Sequence, residues 1–415
     1  MKKKKLIAWL IIPLAAVIYF VFFYKDKTLQ FVPENADAVV LIDVKKLAGQ
    51  YVFSLTTHPS LWFNDAEEKK EHIALKDSGI RIPDFLQIFH LKNTKFTEWY
   101  TAVELKDQPK FLTYLKQQKF KDKGNSLYQK DQIFIKIGKG YCIFGTSDRA
   151  LKNTDSDFFK ASEKKKYNAD HFINRTLGSF SFISGQNISN FSIDLRDDEI
   201  EIKNADGSAD FTSVIAEFQG KSHFLEMQLD AGNMKNLSRF FNKSISDSAG
   251  ISHMKGIADL EQVNDTIITY GYDDNFNEVE QKSYQKIVQP KYAISLLTPD
   301  PEKTWAYFQN KKWINAQNQL TIIPFQPNTV SKSQKAVIIR SSGNLEPLSR
   351  NEKENYIFIR NNALLYSSLK SLTEREKKLM SDIEYIFYGN KGQDHYIKLK
   401  AKKGDLPLIL RRSFL

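Results

Sequence analysis

The most constraining feature of the sequence is an uncharged apolar run at its N-terminus. It extends from Leu6 to Tyr24 and follows four lysines, Lys2 to Lys5. Nineteen residues at the α-helical rise of about 1.5 Å cover roughly 28 Å, close to the thickness of the hydrocarbon core of a bilayer. The run therefore predicts a transmembrane helix over residues 6–24, preceded by a basic cytoplasmic head at residues 1–5.

A retained anchor explains this run better than a cleaved signal peptide does. The apolar core of a signal peptide usually has about 7 to 15 residues and ends in small residues at the cleavage site. Here Ala15 and Ala16 are followed by bulky residues, and Phe22 to Tyr24 are typical of an interfacial aromatic belt. Because the lysines lie before the span, we expect a single-pass protein of the inner membrane whose bulk is periplasmic.

Composition limits what the exported part can be. The single cysteine, Cys142, cannot form an internal disulfide, which favours a bacterial envelope over a eukaryotic secretory pathway. The net charge of +11 falls to about +7 without Lys2 to Lys5, and the excess is spread along the chain. We expect no nucleic acid partner there and interpret the basic excess as a solvated surface. Binding of anionic lipid headgroups and binding of an acidic protein are the alternatives.

Two segments of the chain are similar and predict an internal duplication. IFIK at Ile133–Lys136 matches IFIR at Ile357–Arg360, and each alternates as a strand does. A turn follows in both copies, at residues 138–140 and 361–362, and then a second apolar run, YCIF or ALLY. The pattern predicts a β-hairpin in each copy, followed by a helix that a serine caps.

The flanking segments extend this similarity. A predicted strand begins at Tyr100 and another at Tyr292, and an aspartate and a proline near the start of a helix follow each strand. We therefore expect two similar α+β domains, with largely antiparallel sheets covered by helices, at residues 31–210 and 211–415. Residues 25–30 would link the first domain to the anchor.

The start of the first domain resembles a known group of sequences. In FVPENADAVVLIDVKKL, the residues Val32, Pro33, Ala36, Asp43 and Leu47 form a V-P-x-x-A start before a strand and a helix. This start is similar to that of membrane-anchored envelope families of unknown function, especially from Bacteroidota. The resemblance implies recurring strand–helix units and brings no catalytic residues.

The sequence contains no motif for catalysis or metal binding. The seven histidines show no metal-ligand spacing; they are His58, His72, His90, His171, His223, His253 and His395. Cys142 lies in a predicted strand, where burial would keep the thiol protonated. Gly138–Gly140 joins two strands and lacks the spacing of a phosphate-binding loop.

Two acidic pairs are interpreted as turns. Asp197 and Asp198 separate two strand-like segments, and Asp273 and Asp274 begin an acidic loop without the glycine and glutamate of a calcium-binding loop. We therefore predict no catalytic, cofactor-binding or metal-binding residues, and no cofactor.

These observations favour a non-enzymatic envelope protein that binds or scaffolds protein partners. One alternative is a protein that binds an envelope lipid or another hydrophobic ligand between the two halves. A second alternative is an enzyme whose site is assembled from residues distant in the sequence.

Overall fold

The structure is a computed structural model, and it describes residues 24–58, 77–152, 167–204, 210–241, 250–323, 327–341, 345, 354–368, 372–404 and 406–411. These residues form two compact units. Unit 1 contains the described residues up to Asp197 together with Ile202 to Asn204. Unit 2 contains Asp198 to Glu201 and the described residues from Asp210 onward.

The predicted transmembrane span at residues 6–24 lies outside the described residues, except for Tyr24. From Tyr24 onward, the described part of the chain contains no helix long and apolar enough to cross a membrane.

Unit 1 is built on an antiparallel sheet. Its strands are β1 (Thr28–Leu29), β2 (Ala36–Asp43), β3 (Phe85–Leu91), β4 (Trp99–Glu104), β5 (Lys121–Asp122), β6 (Leu127–Lys130), β7 (Ile133–Ile137), β8 (Tyr141–Gly145), β9 (Tyr167–Asn168), β10 (Gly178–Ser184), β11 (Asn187–Leu195) and β12 (Glu199–Asn204), the last shared with unit 2. Its helices are α1 (Val44–Thr57), α2 (Gln108–Gln117) and the short α3 (Arg149–Lys152). The main strand order is β11–β10–β2–β3–β4–β8–β7–β6–β5, and β1 pairs with β9.

Alternation along the central strands separates a buried face from a half-exposed one. Val39 and Leu41 of β2 are fully buried, whereas Val40 between them is half-buried. Phe89 on β3 and Tyr100 on β4 are opposite each other and continue the buried face. This period of two is what a sheet needs to place its apolar residues in one core.

Unit 2 is a second antiparallel sheet. Its remaining strands are β13 (Leu225–Asp230), β14 (His253–Tyr272), β15 (Glu278–Leu297), β16 (Asn328–Lys332), β17 (Ala336–Ser341), β18 (Asn355–Arg360), β19 (Ile383–Lys391) and β20 (Asp394–Ala401). Its helices are α4 (Thr212–Gln219), α5 (Ala231–Phe241), α6 (Pro301–Asn310), α7 (Ala363–Ser368) and α8 (Glu374–Asp382). The strand order is β20–β19–β18–β13–β14–β15–β17–β16, and β12 pairs with β20. The prediction of an α+β fold with mainly antiparallel sheets is confirmed.

Aromatic packing holds α4 against the sheet of unit 2. Phe218 of α4 is fully buried and lies 5.2 Å from the ring of Phe358 and 4.8 Å from that of Tyr356. Phe358 also stacks on Tyr385 of β19 at 5.1 Å. In a chain without an internal disulfide, such clusters supply much of the stability.

The two predicted strand–helix segments with aspartate and proline are confirmed. Asp107 caps α2, and its side chain accepts a hydrogen bond from the backbone N–H of Lys110 (3.0 Å). Asp300 caps α6 in the same way and accepts from Lys303 (2.9 Å). Each helix has a proline in its first turn, where no backbone hydrogen bond is lost.

The predicted equivalence of two hairpins is wrong. Ile133–Lys136 lies in β7 between β6 and β8, whereas Ile357–Arg360 lies in β18 between β13 and β19. YCIF forms strand β8, but ALLY begins helix α7. The side chain of Asn362 accepts a hydrogen bond from the backbone N–H of Leu364 (2.9 Å), so this asparagine starts a helix and does not turn a hairpin.

The aromatic cluster of unit 2 gives a direct test of its core. We expect Phe358→Ala to lower the free energy of unfolding by about 3–5 kcal/mol, because it leaves a cavity beside Phe218 and Tyr385. Phe276→Ala is the matched control, since Phe276 is 87% exposed and its truncation should change stability by less than about 0.5 kcal/mol. Urea unfolding of both variants measures this, and equal effects would contradict the core assignment.

Candidate functional site

Two of the described histidines have ordinary structural partners. Nδ1 of His90 is 2.6 Å from Oδ1 of Asp37, and Nδ1 of His223 is 2.9 Å from Oδ2 of Asp259. His72 lies outside the described residues. Within the described ranges, no three histidine, cysteine, aspartate or glutamate side chains lie close enough to hold a metal ion.

Cys142 and the neighbouring glycines occupy the expected positions. Cys142 is fully buried in β8, and burial raises the pKa of its thiol. A protonated, inaccessible thiol is a poor nucleophile. Gly138–Gly140 turns the chain from β7 into β8, and Gly140 has a φ of +80°, which glycine tolerates without strain.

The first acidic pair lies in a turn, as predicted. Asp197 and Asp198 connect β11 to β12. The Asp198 carboxylate forms an ion pair with Lys400 on β20 (2.8 Å). Its neighbour Glu199 contacts Lys398 at 2.6 Å, so these carboxylates fix β12 to β20 within unit 2.

A polar cluster in unit 2 anchors the start of α5. Asp230 accepts a hydrogen bond from the Asn233 backbone N–H (2.8 Å) and another from the Asn355 side chain (2.8 Å). Burial acts to raise the pKa of Asp230, but these hydrogen bonds outweigh it and lower the pKa. Tyr388 donates to Asn233 (2.9 Å), and burial raises the pKa of this phenol to about 12. Hydrogen bonds within the fold therefore account for the cluster.

Glu226 is a deeply buried carboxylate with only a distant ion-pair partner. It is 1% exposed on β13, and its nearest cation, Nζ of Lys221, is 3.9 Å away. Burial raises the pKa of Glu226, although Lys221, His223 and Arg360 act to lower it. A closed position of this kind suits a structural group better than a catalytic one.

The most unusual feature of the described residues is a long two-stranded ribbon. Strands β14 and β15 pair continuously. The first pair is His253 with Leu297, and the last pair, next to the turn, is Tyr272 with Glu278. β13 pairs with β14 only up to Ala258, and β17 pairs with β15 only from Ala293 onward. From the Asp259–Lys291 pair to the turn, no third strand of the described residues pairs with this ribbon, and we call this segment the arm. Its fourteen residue pairs extend roughly 45 Å at the usual strand rise.

The turn at the end of the arm is held by one aspartate. Oδ1 of Asp273 accepts hydrogen bonds from the backbone N–H groups of Asn275 (2.9 Å) and Asn277 (2.8 Å). These hydrogen bonds from Asn277 and Asn275 lower the pKa of Asp273. Because the carboxylate is used inside the turn, this loop is explained without a bound cation.

Large apolar side chains are exposed along the arm. The side chains of Tyr270, Tyr272 and Tyr284 are 68%, 72% and 75% exposed. Phe276 at the turn is 87% exposed and has a φ of +62°, a left-handed conformation that costs a bulky residue roughly 1–2 kcal/mol. An exposed aromatic in a strained conformation contributes little to the fold and is typical of a binding surface.

The arm has two chemically distinct edges and an aromatic face. The three tyrosines and Ile268 lie on one face, because residues of equal parity point to the same side of a ribbon. From Asp259 to Tyr272, β14 contains three carboxylates and no lysine or arginine. The free part of β15 has Glu278 and Glu280 next to the turn, and its lysines follow farther along the strand.

The chain matches no family model, no curated protein and no solved structure.

The sequence pattern indicated the acidic loop but not the arm that carries it. The missed signal is the composition of the flanks, where tyrosine, valine and isoleucine occur on both sides of DDNFN and threonine occurs before it. These residue types favour strands. Neither flank has one consistently apolar face, which is the expectation for a ribbon that is exposed on both sides.

Glu226 gives a test of the electrostatics of unit 2. A carboxylate with a raised pKa in the folded state favours folding below its unfolded pKa, and this contribution is lost as the pH rises through the folded pKa. We therefore expect the free energy of unfolding of Glu226→Gln to increase relative to that of the parent protein as the pH is raised from about 4 to about 8. Urea unfolding at both pH values measures this. The exposed Glu34→Gln is the control, and the same pH trend in both variants would contradict the assignment.

Proposed function

We propose that this protein is a non-enzymatic, membrane-anchored envelope protein that binds a partner protein through the arm of unit 2. Residues 6–24 would form the anchor in the inner membrane, and units 1 and 2 would lie in the periplasm. The observation that carries the proposal is the free ribbon with exposed aromatic residues at and near its end.

The physical cost of the arm supports a binding role. A two-stranded ribbon is only marginally stable in water unless a further strand or a covering element packs on it. The arm has no third strand among the described residues, and its far half exposes nearly every side chain. A partner that covered the tyrosine face would bury apolar area and satisfy free backbone groups at the same time.

The charge of the arm favours a basic protein surface as the partner. Residues 259–291 contain seven carboxylates and three lysines, whereas the whole chain has a net charge of +11. Exposed tyrosine and phenylalanine side chains are typical centres of protein interfaces. An anionic lipid surface would repel the carboxylates near the turn, so a protein explains this surface better.

A matching strand order in the two units also supports a special role for the arm. Strand order β11–β10–β2–β3–β4–β8–β7 in unit 1 corresponds to β19–β18–β13–β14–β15–β17–β16 in unit 2. We propose that the units derive from one ancestral fold with this alignment. The 20-residue strands β14 and β15 then correspond to β3 and β4, which have 7 and 6 residues. The arm is an elongation found in one unit, which fits an added function.

Site-specific crosslinking tests the proposal. A photoreactive amino acid at Phe276 or Tyr272 should form a discrete adduct with a protein in native membranes. The same group at Phe53, which is 70% exposed on α1, is the matched control and should give no such adduct. Adducts with lipid alone would support lipid binding instead, and equal protein adducts at all three positions would contradict the proposal.

Shortening the arm supplies an independent test. We expect a variant in which Asn-Gly replaces residues 264–286 to close a tight turn on the Val263–Ile287 pair and to remain folded. Its free energy of unfolding should change by less than about 1 kcal/mol, because the removed residues pair only with one another. Copurification of the crosslinked partner should be lost. Retention of that partner would show that the arm is not the binding element.

A further inference from the structure

We infer that the outer edge of β15 in the arm pairs with the same edge of a second copy of this chain, antiparallel about a two-fold axis at Ser283. The result would be a four-stranded sheet made of two arms. This inference goes beyond the proposed function, because it assigns one edge of the arm to self-association and leaves the acidic β14 edge and the aromatic face for another protein.

The free edge of β15 presents backbone groups with which another strand can pair. At its base, the backbone N–H of Tyr292 donates to Oγ of Ser341 (2.8 Å), and this hydroxyl donates to the Tyr292 carbonyl (3.3 Å). At its other end, the Asp273 N–H donates to the carbonyl of Asn277 (3.0 Å). Even-numbered residues of β15 therefore point their backbone groups away from β14, and odd-numbered residues point theirs toward it.

Among the described residues, no strand pairs with β15 between Glu278 and Lys291 except β14. The outward N–H and C=O groups of the even-numbered residues are thus available to another strand. Pro290 has no N–H and interrupts the edge next to the part that pairs with β17. The available edge consequently runs from Glu278 to Val288.

The side chains of this edge are complementary to themselves in one register. With Ser283 on the axis, the facing pairs are Val279 with Ile287, Glu280 with Lys286, Gln281 with Gln285, and Lys282 with Tyr284, the second residue of each pair belonging to the second copy. Each pair then occurs twice because of the symmetry. Apolar, oppositely charged, amide and cation–aromatic pairs of this kind stabilise adjacent strands.

Neighbouring registers are less favourable. Moving the axis to Lys282 places this lysine opposite its own copy, and moving it to Tyr284 places Lys282 opposite Lys286 twice. Like charges directly opposite each other destabilise a sheet. An axis at Gln281 keeps a Glu280–Lys282 pair but shortens the overlap of the two edges. The axis at Ser283 combines the longest overlap with no like-charge pair.

The β14 edge cannot associate in this way. Asp259, Glu261 and Asp265 lie along its free part, with no lysine or arginine between them and the turn. Self-pairing in any register of this segment would leave these carboxylates without a cation opposite them. Self-association is therefore specific to the β15 edge, and a different protein with a basic surface suits the β14 edge.

Charge reversal tests the register in the full-length protein. We expect Glu280→Lys and Lys286→Glu each to weaken dimerisation roughly tenfold, because each creates two like-charge pairs across the axis. The double variant should return to within about threefold of the parent dissociation constant. Within the arm, these two residues face Tyr270 and Asn264, so neither change creates a like-charge pair across the ribbon. Sedimentation of the purified protein in detergent measures the dissociation constants.

A cysteine at the axis tests the geometry directly. Ser283 would face its own copy as a non-hydrogen-bonded pair with Cα atoms about 4.5 Å apart, a distance that a disulfide can bridge. We expect Ser283→Cys to form a covalent dimer under mild oxidation. Gln281→Cys should not, since the two cysteines would be displaced by about 13 Å along the strands. Gln281→Cys combined with Gln285→Cys should form one again. Circular dichroism of each variant checks that the fold is retained.

The charge-reversal and crosslinking experiments distinguish the two-fold pairing from its absence. Rescue by the double charge reversal together with the predicted crosslinking pattern would support the two-fold pairing. A monomeric parent protein at all accessible concentrations, or equal crosslinking of the Gln281→Cys and Ser283→Cys variants, would overturn it. Neither result depends on the photo-crosslinking of a partner at Phe276, so failure of this inference is distinguishable from failure of the proposed function.

Discussion

The ladder of backbone hydrogen bonds between β14 and β15 is the interaction on which unit 2 and its candidate binding surface both depend. Near its base, the ladder lies in the middle of a wide sheet, where β13 and β17 support it. Beyond Ala258 and Ala293, the same ladder continues without a further paired strand among the described residues. One structural element is thus rigid at one end and exposed at the other, which suits a projecting binding element.

Stability and binding are assigned to different parts of unit 2. Its core consists of stacked aromatic residues under α4, including Phe218 and Phe358, and of a second apolar cluster around Leu296 and Phe308. Exposed aromatic side chains along the arm make no comparable contacts. Because the core does not need the arm, the sequence of the arm is free to serve recognition, as is common for segments carried by a rigid scaffold.

Local sequence signals predicted individual elements well and their long-range partners poorly. Asp107 and Asp300 lie at the starts of helices, as their spacing to the nearby prolines indicated, because a helix start depends on a few adjacent residues. IFIK and IFIR are both strands, as their alternation indicated. Their neighbours in the sheet differ, because pairing depends on packing between residues that are distant in the sequence, and four similar residues do not specify it.

The candidate site was difficult to predict for the same reason. Asp273 and Asp274 indicated a turn, but whether the flanking strands are supported by other strands is decided by β13 and β17, far away in the sequence. An interaction surface of this kind contains no catalytic motif by which a sequence would reveal it. Such a surface binds through exposed aromatic side chains, backbone groups at a strand edge and the pattern of charges. None of these features follows a fixed spacing in the sequence.

Residue-resolved amide hydrogen exchange along β15 is the most direct measurement of whether the outer edge of the arm is a binding element. In dilute purified protein, even-numbered amides from Glu278 to Val288 should exchange rapidly, because their N–H groups point away from β14. In native membranes, or at concentrations that favour dimers, these amides should become strongly protected. Equal, rapid exchange under both conditions would contradict a binding role for this edge.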